Sequence, residues 1–101
     1  MKKLHCIDVS GSMSNEQLET AKKEMLKRFQ RGDVVVVFDT KFVIVTDMDR
    51  NFRDYITFGG GTWADPVLEY ASSIGASPVL YSDGYLDFKA LTQFSEFVEI
   101  K

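Results

Sequence analysis

Hydrophobic positions change their period several times along the chain, and each change marks an element. Leu4 to Val9 is a short apolar run that includes Asp8 near its end, the pattern of a central strand buried on both faces. Leu18, Ala21, Met25 and Phe29 then recur at helical spacing up to Gly32, behind a capping box made by Ser14 and Gln17. The other side of this helix carries Glu16, Glu19, Lys22, Lys23 and Lys27, which read as a solvated face. Val34-Val35-Val36-Val37-Phe38 is an unbroken, largely β-branched run, and it predicts a second strand covered on both sides.

The turn Asp39-Thr40-Lys41 is too short for a crossover, so Phe42 to Thr46 is expected to return antiparallel as a sheet edge. From Asp47 to Phe58 the pattern breaks into mixed charges and aromatics, read as a loop with a helical turn. Asp47 and Asp49 within it suit a solvated strand end better than a cation loop. After Gly59-Gly60-Gly61-Thr62-Trp63-Ala64, Asp65 is the expected cap of a helix with Pro66 at its first position. Val67, Tyr70, Ala71 and Ile74 form its inner face and Gly75 ends it. Pro78 to Tyr81 is a short buried strand that delivers Asp83-Gly84 at its end. Asp87 caps a brief helix holding Phe88, Leu91 and Phe94, and Phe97 to Ile100 form a closing strand.

Strands alternating with helices predict an α/β fold. The expected architecture is a doubly wound, mostly parallel five-stranded sheet with one antiparallel edge strand and helices on both faces, Rossmann-like. It occupies residues 1–101 as one domain. If the first strand is central, the second and third add to one side of it and the strand ending at Tyr81 to the other. The winding then reverses between Asp8 and Asp83, and in open sheets of this kind ligands sit at such a reversal.

Charge and composition narrow the functions. Twelve basic and fifteen acidic side chains give a net charge of -3, and no basic run exceeds Lys22-Lys23 or Lys27-Arg28, so no nucleic-acid footprint is indicated. The single cysteine, Cys6, lies inside the first strand and cannot form an internal disulfide, which suits a reducing compartment. No apolar stretch approaches the ~20 residues that span a bilayer, and Met1-Lys2-Lys3 leads into strand-like sequence rather than a signal-peptide core. A cytoplasmic protein that engages neither nucleic acid nor membrane is expected.

Candidate chemistry centres on Asp8-Val9-Ser10-Gly11-Ser12. An acid and two hydroxyls on alternate residues, just past a strand's end, place three oxygen donors on one tight loop, and hard divalent cations prefer oxygen donors. Two carboxylates brought together at the reversal, Asp8 and Asp83, would repel, and one would tend to take up a proton. A divalent cation removes that conflict. Taken singly, each stretch also has an ordinary reading: a polar turn with a serine cap at Ser10 and Ser12, a helix-start hydroxyl at Thr62, an Asp-Gly turn at Asp83.

With these residues in that order, the chain resembles the von Willebrand factor A-like domains and their metal-ion-dependent adhesion site. The family pattern is Asp-x-Ser-x-Ser, a distant Thr in a loop before a helix, and a distant Asp after a strand, commonly followed by Gly. Asp8, Ser10 and Ser12 match the first part, Thr62 the second and Asp83 the third. The resemblance implies that Ser10, Ser12 and Thr62 bind the ion through their hydroxyls. Asp8 and Asp83 would hold it directly or through water, and the remaining position would accept a carboxylate from a protein partner. The expected ion is Mg2+ or Mn2+, with Ca2+ as a further candidate. Gly59 to Gly61 and Ser82-Asp83-Gly84 look most like bacterial and phage members. Relatives of this type often work with AAA+ ring ATPases or assembly factors, an association the resemblance alone supplies. Many relatives continue into a final helix where this chain stops, so a weak homodimer or partner contact on that face is a further expectation.

Gly61, Trp63 and Tyr85 flank the expected ligands and are read as a rim that contacts the partner, with loop packing as the alternative for the two aromatics. The leading expectation is a non-enzymatic, metal-dependent protein-binding module, since no general base or phosphate-stabilising Lys or Arg accompanies the three segments. The competing class is an Mg2+- or Mn2+-dependent hydrolase of phosphate esters or nucleotides, using the glycine-rich loop as an anion cradle. That loop lacks the Lys of a P-loop. A purely structural subunit with no bound ion is the third.

Overall fold

The computed structural model describes residues 2–56 and 61–101. Gly59 and Gly60 of the glycine-rich stretch therefore lie outside the described residues. In chain order the elements are β1 (Lys3–Asp8), α1 (Asn15–Arg28), β2 (Val34–Phe38), β3 (Phe42–Ile44), a single 3-10 turn (Phe52–Tyr55), α2 (Asp65–Ser73), β4 (Ser77–Ser82), α3 (Phe88–Leu91) and β5 (Glu96–Glu99). The strands form one five-stranded sheet in the order β3-β2-β1-β4-β5. β1 pairs parallel with β2 and β4, β4 pairs parallel with β5, and only β3 runs antiparallel, against β2. The fold is α/β and Rossmann-like, with its winding reversed between β1 and β4 as the apolar pattern predicts.

Alternation along the strands splits the core between the two faces. Ile7, Val35, Val37, Val79 and Tyr81 point to the face covered by α1, where Leu18, Ala21 and Met25 pack, together with Phe52 from the 3-10 turn. Leu4, Cys6, Val36, Phe38 and Leu80 point to the other, under Val67 and Ala71 of α2 and beside Ala90 and Leu91 of α3. Both faces of β1 are thus sealed, and each buried Leu, Ile or Val side chain contributes on the order of 1.5–3 kcal/mol. Among the described residues, no helix is long and apolar enough to cross a membrane.

Helix α1 starts as its sequence requires. The Ser14 hydroxyl accepts from the Gln17 N–H at 3.1 Å and the Gln17 side chain accepts from the Ser14 N–H at 2.8 Å, the reciprocal pair of a capping box. Its end comes earlier than the periodicity predicts. The chain turns extended at Phe29, whose ring tilts against His5 at 5.8 Å between centroids instead of continuing the helical face. Gly32, at φ 94°, falls in the turn that follows.

Three further expectations are corrected. Asp65 is the first residue of α2 and not its cap: Ala64 occupies the cap position in helical backbone geometry, with no side-chain hydrogen bond. Helix α3, capped by Asp87 as expected, holds Phe88 and Leu91 but ends before Phe94. A helix of four residues turns only one side inward, and Phe88 is left 77% exposed while Phe94 is buried. Regular pairing of β3 ends at Ile44, two residues short of the expected Thr46, although the Val45 N–H still donates to the Val35 carbonyl at 2.8 Å. The loop after it contains the expected helical turn. There, the Tyr55 hydroxyl accepts from the Asp47 N–H and donates to the Asp47 carbonyl, so Asp47 closes a turn at the strand end.

Candidate cation site at the β1–β4 reversal

β1 delivers Asp8 to the sheet's C-terminal edge, fully buried, and the chain folds tightly over it. The Ser10 N–H donates to Asp8 Oδ1 at 2.8 Å, the side-chain-to-backbone turn that a short carboxylate favours two residues before an amide. The Met13 N–H then donates to the Ser10 carbonyl at 3.0 Å, and Met13 itself is buried, closing the loop against the core. This loop holds the Ser10 and Ser12 hydroxyls 3.1 Å apart, Ser10 buried and Ser12 facing solvent. Arg53 braces the outside, donating from Nε to Asn15 Oδ1 at 3.1 Å and from its terminal nitrogen to the Met13 carbonyl.

β4, the neighbour on the other side of the reversal, contributes two consecutive polar residues. Ser82 is fully buried, and its hydroxyl lies 2.7 Å from Asp8 Oδ2 and 3.5 Å from Asp83 Oδ1. Gly84, at φ 91°, turns the chain so that its N–H donates to Ser82 Oγ at 3.1 Å and the Tyr85 N–H to Asp83 Oδ1 at 3.2 Å. A positive φ at this position is what the Gly of Asp-Gly supplies. Asp8 and Asp83 therefore meet around one serine hydroxyl.

Burial and a neighbouring charge both act on the Asp8 carboxylate. Burial pushes the Asp8 carboxyl above the ordinary carboxylate range, hydrogen bonds from Ser10 and Ser82 pull it partly back, and the negative charge of Asp83 raises it again. Asp8 Oδ1 accepts the Ser10 N–H and Oδ2 the Ser82 hydroxyl, and a carboxylate's four lone pairs leave capacity for a further partner. The donor set of two carboxylates and the hydroxyls of Ser10 and Ser12 is all oxygen, so its chemistry fits a hard divalent cation. Among the described residues, no three His, Cys, Asp or Glu side chains are grouped to hold a metal, so any site here has to draw on hydroxyls.

The third segment reaches the same edge of the sheet by a backbone link. The Trp63 N–H donates to the Asp39 carbonyl at 2.8 Å, directly after β2, which sets the half-buried Thr62 at the C-terminal end of the strand next to β1. Gly61 is exposed, and Trp63 and Tyr85 are 55% and 77% exposed. His5 belongs elsewhere. It is fully buried, between the Tyr81 hydroxyl at 2.8 Å from Nδ1 and Asp33 Oδ2 at 2.8 Å from Nε2.

Two polar residues of this edge escape a reading of the sequence. Ser82 looks like a strand residue before an Asp-Gly turn, yet it joins the two carboxylates. Asp39 looks like a turn residue, yet it is buried and accepts the Thr40 and Lys41 N–H groups on Oδ1 while its carbonyl anchors Trp63. The available signal is positional: each stands at the C-terminal end of a strand flanking β1 or directly after it. No protein-family model matches this chain, and no curated protein matches it in sequence.

Proposed function

We propose that the chain is a von Willebrand factor A-like domain that binds a protein partner through a divalent cation. Asp8, Ser10, Ser12, Thr62 and Asp83 hold Mg2+ or Mn2+, with Ca2+ as a weaker fit, and the ion's open position takes an acidic group of the partner. The observation that carries this reading is the meeting of Asp8 and Asp83 around the Ser82 hydroxyl, at 2.7 and 3.5 Å, at the winding reversal of the sheet. Two buried or half-buried carboxylates there are stable together when a cation balances them. With the remaining ligands neutral hydroxyls, the bound ion's charge is only just balanced, and it retains affinity for one further carboxylate. On this reading the exposed Gly61, Trp63 and Tyr85 supply contact surface for the partner.

A binding role is favoured over hydrolysis because the chain's one histidine is sealed in another network, and the three segments carry no Lys or Arg to stabilise a transferring phosphate. The test is a titration of metal-stripped protein with Mn2+, followed by electron paramagnetic resonance. The reading expects one tightly held ion per chain, its loss in Asp83→Ala, and no phosphate release from generic esters in the loaded protein. Absence of a held ion overturns the reading, and phosphate release that requires Asp8 transfers the site to the hydrolase class.

A further inference from the structure

Ser82 is no part of the Asp-x-Ser-x-Ser, Thr and Asp pattern, but it sits at the centre of the site. Its hydroxyl has one proton to give. Carboxylates only accept, so the 2.7 Å contact to Asp8 Oδ2 is a donation from Ser82, and the 3.5 Å contact to Asp83 Oδ1 is left without that proton. The hydroxyl oxygen accepts the Gly84 N–H at 3.1 Å. Fully buried on β4, the side chain thus has a donor bond to one strand's carboxylate and an acceptor bond from the turn that carries the other.

We infer that Ser82 is the positioning residue of the cation site, fixing the Asp8 carboxylate and the Asp83-Gly84 turn in one mutual geometry. This rests on the cation-site reading above and goes beyond it by assigning selectivity between ions. Mg2+ and Mn2+ demand near-octahedral oxygen placement, whereas Ca2+ accepts loose and variable geometry. With the Ser82 bond in place, the Asp8 plane is set by two hydrogen bonds, Ser10 N–H to Oδ1 and Ser82 Oγ–H to Oδ2. Without it, one oxygen is unrestrained and the turn at Gly84 loses its anchor, which harms the small-ion geometry most.

The experiment compares wild type, Ser82→Ala and Ser82→Thr by calorimetric titration with Mn2+ and with Ca2+, alongside unfolding of each metal-stripped protein. Removing a group that orients a ligand costs roughly 10- to 100-fold in metal affinity. Ser82→Ala is expected to lose Mn2+ affinity on that scale, to lose much less for Ca2+, and to regain Mn2+ binding when the hydroxyl returns in Ser82→Thr, a residue that strands favour. Equal losses for both ions, tracking a lower unfolding temperature of the metal-stripped protein, would reduce Ser82 to a structural role and overturn the inference. Unchanged Mn2+ affinity in Ser82→Ala would overturn it while leaving the cation site standing. A wild-type chain that binds neither ion overturns both.

Discussion

His5 Nε2 lies 2.8 Å from Asp33 Oδ2, an ion-pair-like link between the first strand and the turn that leads into the second. Asp33 also accepts the Lys3 N–H at 3.0 Å and the Gln30 N–H at 3.0 Å. Acting only as an acceptor, Asp33 requires a proton on His5 Nε2, and the other ring nitrogen, Nδ1, meets the Tyr81 hydroxyl at 2.8 Å. Burial holds the Tyr81 phenol well above its usual range, which keeps the phenol protonated. One carboxylate thereby organises the end of α1, the start of β1 and, through His5, the middle of β4.

This network predicts an acid-sensitive contribution to stability. Burial pushes the Asp33 carboxyl up, but the bonds from His5, Gln30 and Lys3 outweigh it and leave the folded value below the ordinary one. Between those two values the unfolded chain binds a proton that the folded chain does not. Stability from Asp33 is therefore complete above the ordinary carboxylate value of about 3.9 and is lost as pH falls through the lower folded value. Asp33→Asn should unfold at lower urea than wild type near neutral pH, with the gap narrowing in strong acid. An equal gap at both pH values would assign the loss to packing around His5, Phe29 and Tyr81 instead.

The cap of α1 gives a second prediction. Ser14→Ala removes the acceptor for the Gln17 N–H. The expected cost is about 0.5–2 kcal/mol, a fall in unfolding temperature of roughly 4–8 °C per kcal/mol for a domain of this size. Ser14→Asp should restore most of it in thermal unfolding followed by circular dichroism.

Gly84 makes a third. Its φ of 91° is the left-handed region, while a Cβ placed there would meet only the Phe97 ring, at an ordinary 3.8 Å. The penalty of Gly84→Ala is thus backbone strain, about 1–2 kcal/mol. Gly84→Asn should cost less than Gly84→Ala, since Asn tolerates this backbone region. The reverse order in urea denaturation would mean that space, not backbone conformation, limits the position.

Trp63 offers a fourth, spectroscopic prediction. It is the chain's only tryptophan, more than half exposed, beside Thr62. Its emission should be that of a solvated indole and should change on addition of Mg2+ in wild type but not in Asp8→Ala. Trp63→Ala should cost less stability than truncating a buried aromatic such as Phe52, because its side chain is more than half exposed and the backbone N–H that anchors the segment to Asp39 is kept.

What could be read from the residues follows physical range. Local signals carry far: Ser14 with Gln17 marks the start of α1, the valine run marks a doubly covered strand, and the short link after Phe38 forces β3 antiparallel. Alternation of strand and helix then places Asp8 and Asp83 at one reversal. Long-range polar contacts leave no such trace. Ser82 to Asp8 spans 74 residues and His5 to Tyr81 spans 76, so neither pairing follows from spacing. Phe29 and Phe94 fall outside the helices their spacing suggests for a related reason. Apolar periodicity continues past the point where the backbone leaves the helix. At Asp65 the failure is one of phase, since Ala64 already adopts helical geometry and takes the cap position.

A divalent cation at the β1–β4 edge, as proposed, is decided by thermal unfolding of metal-stripped protein with and without excess Mg2+ or Mn2+. An ion that binds only the folded chain, at about a hundredfold over its dissociation constant, adds about 2.7 kcal/mol, a rise of roughly 10–20 °C. Such a rise is expected in wild type and its disappearance in Asp8→Ala, each variant compared with its own metal-stripped form. Equal unfolding temperatures with and without either ion in the wild-type protein would contradict the proposal, leaving Asp8, Ser10, Ser12, Thr62 and Asp83 as turn and cap residues.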